Sequence, residues 1–206
     1  MPPDRRVLFF GDSFTAGAGD PTGLGWVGRA VAASHDAGLP ITGYNLGVRG
    51  DTSTAVAARF EAELCARTQN PDASYGVVLA FGANDMIIAA NRLRVPPAPS
   101  VRTLNRLIDL SRQGGHGVFV VGPSPVGERD EDERIAELSN QYAHVATHRA
   151  IPFVETARRL GAKDGVWRRE AAANDGSHPG AGGYAALAEI VLAGGWTAWV
   201  AGLGGS

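Results

Sequence analysis

A parallel β-sheet of five strands covered by helices on both faces is the fold class this sequence predicts, and three observations carry the prediction. Short apolar runs rich in β-branched and aromatic residues recur along the chain, beginning with Val7-Leu8-Phe9-Phe10. The first three runs each meet a glycine directly, which suits a buried strand that must turn sharply at its carboxyl end. Between the runs lie segments whose apolar residues are spaced by three and four, as in helices that pack one face.

The elements follow in order. The first strand, Val7 to Phe10, breaks into Gly11-Asp12-Ser13-Phe14, and a Gly-rich loop from Gly17 to Gly25 leads to a helix from about Trp26 to Ala37 that ends at Gly38. Ile41 to Leu46 is the second strand, closed by Gly47 and Gly50. Asp51-Thr52-Ser53 caps a helix with Val56, Phe60 and Leu64 on its apolar face and Arg59 paired with Glu63 on the other. Tyr75 to Phe81 is the third strand, followed by Gly82 and then Asn84-Asp85. Pro96-Pro97-Ala98-Pro99 breaks the chain before a helix carrying Val101, Leu104, Leu107, Ile108 and Leu110, which Gly114-Gly115 ends. Val118 to Val121 is the fourth strand. The charged run Glu128 to Arg134 reads as a solvated helix start, with a lid over the strand ends as its other use. Ile135, Leu138, Tyr142 and Val145 continue that helix, and Ile151 to Val154 is a short fifth strand. A loop with Trp167 and the stretch Asp175-Gly176-Ser177-His178-Pro179 precede a last helix with Tyr184, Leu187, Ile190 and Val191. Right-handed crossovers then favour the flavodoxin-like strand order 2-1-3-4-5, in one domain spanning 1–206.

Composition narrows the function classes. A chain of 206 residues with 44% hydrophobic residues can build one well-buried core, and its 28 glycines suit close helix-to-sheet packing. A net charge of −2 offers no footprint for nucleic acid or an anionic membrane. The single cysteine, Cys65, excludes an intrachain disulfide and reads as a small apolar filler on its helix. The N-terminal apolar run is too short for a secretory signal, so the expected location is cytoplasmic. Ile190 to Leu203 is uncharged over 14 residues, short of the ~20 that span a bilayer, and reads as a core helix without stable membrane insertion.

Polar clusters sit at three strand ends, at Ser13, Gly50 and Asn84, and a fourth, Asp175 with His178, precedes the last helix. All strand ends of a parallel sheet share one edge, so these distant clusters converge there. Serine is unreactive at neutral pH without a base within about 2.6–3.2 Å. His178 would take the proton through one ring nitrogen while Asp175, folded back across Gly176, holds the other N–H. A tetrahedral oxyanion needs aimed donors, each worth about 2.7–4 kcal/mol in the transition state. The backbone N–H groups of Ser13 and Gly50 and the side-chain amide of Asn84 are the candidates. Taken singly, each cluster also reads as a helix cap or turn, and only their joint placement favours chemistry.

Gly11-Asp12-Ser13, Gly50 within Val48-Arg49-Gly50-Asp51-Thr52, Gly82-Ala83-Asn84-Asp85 and Asp175-Gly176-Ser177-His178-Pro179 resemble, in order, the four sequence blocks of the SGNH (GDSL) hydrolases. The resemblance spans nearly the whole chain. It implies Ser13 as nucleophile, His178 as base, Asp175 as its orienting acid, an oxyanion hole of Ser13, Gly50 and Asn84, and no metal or cofactor. The implied activity is hydrolysis of short-chain acyl esters through an acyl-enzyme, with acyl transfer, thioester or lysophospholipid hydrolysis as alternatives on the same triad. The expected partner is then a small-molecule acyl ester; a non-catalytic binding module is the distant alternative. Arg49 departs from the small residue common before the second-block glycine, and reads either as a solvated loop arginine or as a group that closes the site or binds an anion. Trp26, Met86, Ile87, Ile88 and Trp167 are the remaining candidates for pocket walls, each with a plain core role as the other reading.

Three further motifs fail on context. Gly23-Leu24-Gly25-Trp26-Val27-Gly28 matches a dinucleotide fingerprint in form, but it does not follow the first strand directly and no acid ends the second. His144 and His148 have zinc-binding spacing, but valine at 145 replaces the zincin glutamate and no third ligand is evident. Gly11-Asp12-Ser13-Phe14-Thr15 is not the Gly-x-Ser-x-Gly elbow, so Ser13 is expected in a more open loop that Asp12 pins.

Overall fold

The computed structural model describes residues 3–162 and 165–204. Strands β1 (Arg5–Gly11), β2 (Thr42–Gly47), β3 (Ser74–Ala80), β4 (Gly117–Val121) and β5 (Phe153–Val154) form one parallel sheet in the order β2-β1-β3-β4-β5. The expected order is therefore the observed one. β1 is inside the sheet and Val7 through Phe10 are wholly buried, which is why the run is continuously apolar rather than alternating. Phe9 and Phe10 point to opposite faces, as successive strand residues must. Phe9 packs against Trp26 of helix α2 (Gly25–Asp36) and against Trp196; Phe10 packs against Phe60 of helix α3 (Ser53–Arg67). Helices α4 (Pro97–Gln113) and α5 (Arg129–His148) continue the α3 layer, and α8 (Ala181–Val191) packs beside α2. Burying each such side chain contributes about 1.5–3 kcal/mol, and these two clusters fasten the helical layers to the central strand.

Close approach at the carboxyl edge depends on two glycines. Between β1 and α2 the chain makes a one-turn helix, α1 (Ser13–Ala16), which lies against the ends of β1 and β2. A Cβ at Gly11 would stand 2.1 Å from Thr15 Oγ1 and 2.2 Å from the Ala80 carbonyl, and one at Gly47 would stand 2.2 Å from the Ala16 nitrogen. Only glycine lets α1 settle there.

Several local readings are corrected. β2 is an edge strand whose middle faces solvent, so it contributes less to the core than its sequence promised. Arg59 pairs with Asp51 at 2.9 Å rather than with Glu63, which pairs with Arg67 one turn on. Cys65 is exposed and fills no core gap, because it lies beyond the Val56–Phe60 face. Pro97 begins α4 instead of preceding it, since the first turn of a helix needs no N–H from that residue. Glu128 to Arg134 forms the N-cap and first turns of α5, with Asp132 accepting the Val126 N–H at 2.7 Å and pairing with Arg168. His144 and His148 lie exposed on α5. The stretch around Trp167 is not a loop but holds helices α6 (Ala157–Leu160) and α7 (Val166–Ala173).

The last helix is longer than its uncharged run. Ala181–Gly202 is one 22-residue helical segment, long and apolar enough by length and composition alone to cross a membrane. It runs from α8 through a π-turn (Leu192–Trp196) into α9 (Thr197–Gly202) and is kinked where Gly194 and Gly195 leave helical geometry. Tyr184, Leu187, Val191, Trp196 and Val200 are buried in the core from this segment.

Candidate active site

Ser13 is the first residue of α1, and Asp12 caps that helix by accepting the Phe14 N–H at 3.0 Å. It therefore sits in a capped helical turn rather than the open loop expected, and its side chain is largely enclosed. His178 Nε2 lies 2.7 Å from Ser13 Oγ, and His178 Nδ1 lies 2.7 Å from Asp175 Oδ2. The other carboxylate oxygen of Asp175 accepts the backbone N–H groups of Ser177 at 3.0 Å and His178 at 2.8 Å. Burial works against the Asp175 charge, but the amide and ring of His178 and the Ser177 amide outweigh it and hold the carboxyl down to about 2. An ionised carboxylate only accepts, so Nδ1 carries the proton and, in the neutral ring, Nε2 accepts from the serine hydroxyl. The proton relay thus points in the direction that would activate Ser13.

Aromatic packing fixes the imidazole from behind. The Phe14 ring is 5.1 Å from the His178 ring and 5.4 Å from Trp167, and Trp167 anchors itself by donating to the Pro125 carbonyl at 3.0 Å. Asn174 Nδ2 donates to the His178 carbonyl at 3.1 Å, which ties the loop to the end of α7.

Opposite the histidine, two strand-end loops meet at Asn84. Its Nδ2 donates to the Asp51 carbonyl at 3.1 Å and reaches Asp12 Oδ2 at 3.4 Å, so one amide touches the loop of Gly50 and the loop of Ser13. Gly50 itself has φ +79°, a left-handed turn that suits glycine. Arg94 ties Asn84 to the Gly50 loop from the other side, with Nη1 donating to Asn84 Oδ1 at 3.2 Å and Nη2 to the Gly50 carbonyl at 2.7 Å. Beneath them Asp85 is fully buried, accepting the Ser53 N–H at 2.8 Å and the Ser100 hydroxyl at 2.5 Å, and Ser100 is 2.6 Å from the Tyr142 hydroxyl. Burial raises the Asp85 carboxyl despite these donors, and it raises the Tyr142 phenol also. Asp12 is pushed up to about 7, first by burial and then by the charges of Asp85 and Asp51, against the pull of the Phe14 N–H.

Comparison with known proteins gives a family and a shared fold. Residues 9–186 match the family model described as the GDSL-like Lipase/Acylhydrolase family. The chain belongs to that family. Solved structures with the same fold include a lipolytic G-D-S-L family protein from Veillonella parvula, with 21% identity, a TM-score of 0.75, and coverage of 92% of this chain and 97% of that one. An acetyl xylan esterase from Geobacillus stearothermophilus has 20% identity and a TM-score of 0.75, covering 94% and 96%. TesA has 25% identity and a TM-score of 0.74, covering 92% and 97%. No curated protein sequence matches this chain.

Within this GDSL-family frame the structure brings Ser13, His178 and Asp175 into one hydrogen-bonded series and joins Gly50 to Asn84 through Arg94 and Asp51. The pocket-wall expectations fare differently. Trp26, Met86 and Trp167 are each only 1% exposed and belong to the core, where the hydrophobic gain of burying a large side chain is greatest. Ile87 is half-buried, while Ile88 and Arg49 are exposed beside the site loops. The sequence reading missed Arg94, the buried anchor Asp85 with Ser100 and Tyr142, and the role of Phe14 against His178. Asp85 and Phe14 adjoin the motif residues and were within reach of it; Arg94 arrives through a hairpin that leaves no periodic signal.

Proposed function

We propose that this GDSL-family hydrolase cleaves short-chain carboxylic esters through an acyl-enzyme on Ser13. The observation that carries the reading is the series Ser13–His178–Asp175, closed at 2.7 Å on both sides of the imidazole. Ser13 Oγ bonds to the ester carbonyl carbon as its proton moves to His178 Nε2, and the carbonyl electron pair becomes the oxyanion. The Ser13 and Gly50 N–H groups and Asn84 Nδ2 receive that oxyanion. Collapse breaks the bond to the leaving alkoxide, which takes the proton from Nε2. Water then attacks the acyl carbon, gives its proton to Nε2, and the acid leaves as Oγ regains its hydrogen. Asp175 stays ionised throughout and holds the imidazolium.

Two facts support a short acyl chain. Trp26, Met86 and Trp167 are used in the core and are not free to wall a deep tunnel, and Val48 and Ile88 are the exposed apolar residues on the two loops that flank Asn84 and Gly50. The acetyl xylan esterase among the structural neighbours acts, by its name, on a two-carbon acyl group. Rates across C2 to C12 p-nitrophenyl esters, with Ser13→Ala in parallel, test the proposal. Activity should peak at C2–C4 and vanish in the variant; a peak at C8 or beyond refutes the short chain, and an unchanged rate in Ser13→Ala refutes the mechanism.

A further inference from the structure

We infer that Arg94 is a positioning residue for the oxyanion donors: its guanidinium clamps Asn84 and Gly50 together and, from the oxygen side, locks the Asn84 amide in the orientation that faces its NH₂ toward the reacting carbonyl. The inference rests on the ester-hydrolase reading above. Its basis is a pair of bonds from one side chain to the two loops that carry those donors, to Asn84 Oδ1 at 3.2 Å and to the Gly50 carbonyl at 2.7 Å.

A guanidinium has five donors and no acceptor, so the atom of Asn84 that faces it must be the oxygen. The NH₂ group is thereby turned toward Asp12 and Asp51, on the side of Ser13. Turning the amide over would set Oδ1 against the Asp51 carbonyl and the Asp12 carboxyl, so Arg94 acts together with those two acceptors to hold the one orientation that presents hydrogens to an oxyanion. The bonds are also charge-assisted, which polarises the Asn84 amide and makes its N–H groups better donors. The second bond sets the plane of the peptide after Gly50, in a left-handed turn at φ +79°.

Arg94 has no ion-pair partner among the described residues, so its charge is directed at these two carbonyl oxygens and, at longer range, at Asp85. Its backbone is held as firmly as its side chain. A two-stranded hairpin (Ile88–Ala89 with Arg92–Leu93) turns back through Ala90 and Asn91, and is closed by the Arg94 N–H to the Ile87 carbonyl at 3.0 Å and the Val95 N–H to the Asp85 carbonyl at 3.2 Å. The hairpin thus returns a residue ten positions beyond Asn84 to its side. Lysine would not substitute, because a single ammonium cannot fork across both oxygens with fixed geometry.

The experiment measures kcat and KM separately for p-nitrophenyl acetate, a neutral substrate, with wild type, Arg94→Ala, Arg94→Lys, Asn84→Ala and the Asn84→Ala/Arg94→Ala double variant. Arg94 is exposed, and thermal unfolding monitors the fold of each. Loss of a whole oxyanion donor costs about 100- to 1,000-fold in kcat. Arg94→Ala should cost about 10- to 100-fold in kcat with KM within about threefold, Arg94→Lys should recover only a small part, and millimolar guanidinium should partly rescue Arg94→Ala. In the Asn84→Ala background the Arg94 substitution should cost clearly less than in wild type, because only its hold on Gly50 then remains and residues that act as a unit are not additive. An unchanged kcat, a loss confined to KM, or an equal loss in both backgrounds overturns the inference. Should Arg94→Ala not fold, Arg94→Lys is judged by the same criteria. A wild type without esterase activity, or an active Ser13→Ala, instead overturns the hydrolase reading, so the two failures are distinct.

Discussion

Asp12 serves the fold as a helix cap while its charge is disfavoured by its surroundings. It accepts the Phe14 N–H and so holds Ser13 at the start of α1, yet it is buried beside Asp85 and Asp51 and its carboxyl rises to about 7. The sign of the effect follows from linkage. A carboxyl whose folded value lies above its unfolded value of about 4 keeps its proton more tightly when folded, so its contribution is most favourable below pH 4 and is lost as pH climbs through 7. Asp12→Asn retains the capping oxygen and cannot ionise. The variant should therefore gain stability over wild type, by up to a few kcal/mol, as pH rises from 4.5 to 8, read from urea unfolding at both pH values. A difference that stays constant between them would contradict this account of Asp12. The carboxylate of Asp175 has the opposite character, since its value near 2 keeps it charged across the same range. Below pH 7, two aspartates within one candidate site are thus biased to different charge states by burial and by the donors that face them.

Helix ends illustrate the next scale. α2, α4 and α5 all finish in the same Schellman pattern: Leu39 N–H to the Ser34 carbonyl, His116 N–H to Ser111, and Ile151 N–H to Ala146, at 2.9, 3.0 and 2.9 Å. The left-handed residue is Gly38 at φ +72° and Gly115 at φ +73° in the first two, but Ala150 at φ +50° in the third. An L side chain in that region is strained, and Ala150 is exposed with little packing to lose. Ala150→Gly should stabilise the protein by about 0.5–1 kcal/mol net of the added freedom of the unfolded chain, seen as a rise of about 1–4 °C in Tm. A fall in Tm would show that the alanine is not strained there. The same contrast explains what was legible. The ends of α2 and α4 were readable because glycine marks them, whereas the hairpin through Ala90 and Asn91 was not, because two-residue strands carry no period and neither left-handed residue is glycine. Arg94 was hidden for that reason alone. α7 reads as a loop in the sequence because Trp167 and Ala171 are its buried residues and the rest of its eight positions lack an apolar stripe.

At the scale of the molecule, the sheet is the device that collects the site. Parallel strands present their carboxyl ends on one edge, and β1, β2 and β3 are neighbours in the order found, so the residues after them, Ser13, Gly50 and Asn84, share that edge, and the loop before α8 brings His178 within 2.7 Å of Ser13. This much was readable in the sequence because fully buried strands are continuous apolar runs and because polar residues directly after them have few places to go. What the pattern does not encode is which way an apolar side chain near the motif points. Trp26 and Trp167 look alike as candidate walls, yet Trp26 meets Phe9 in the core and Trp167 meets Phe14 behind the imidazole. Facing is decided by packing across elements, and no single stretch carries it. The central proposal is that the site gathered on this edge makes Ser13 nucleophilic. Labelling with a fluorophosphonate followed by peptide mass spectrometry tests it most directly: one phosphonyl adduct should form, on the peptide containing Ser13, and esterase activity should fall in step with it. An adduct on another residue, or full activity in protein labelled at Ser13, would contradict the account.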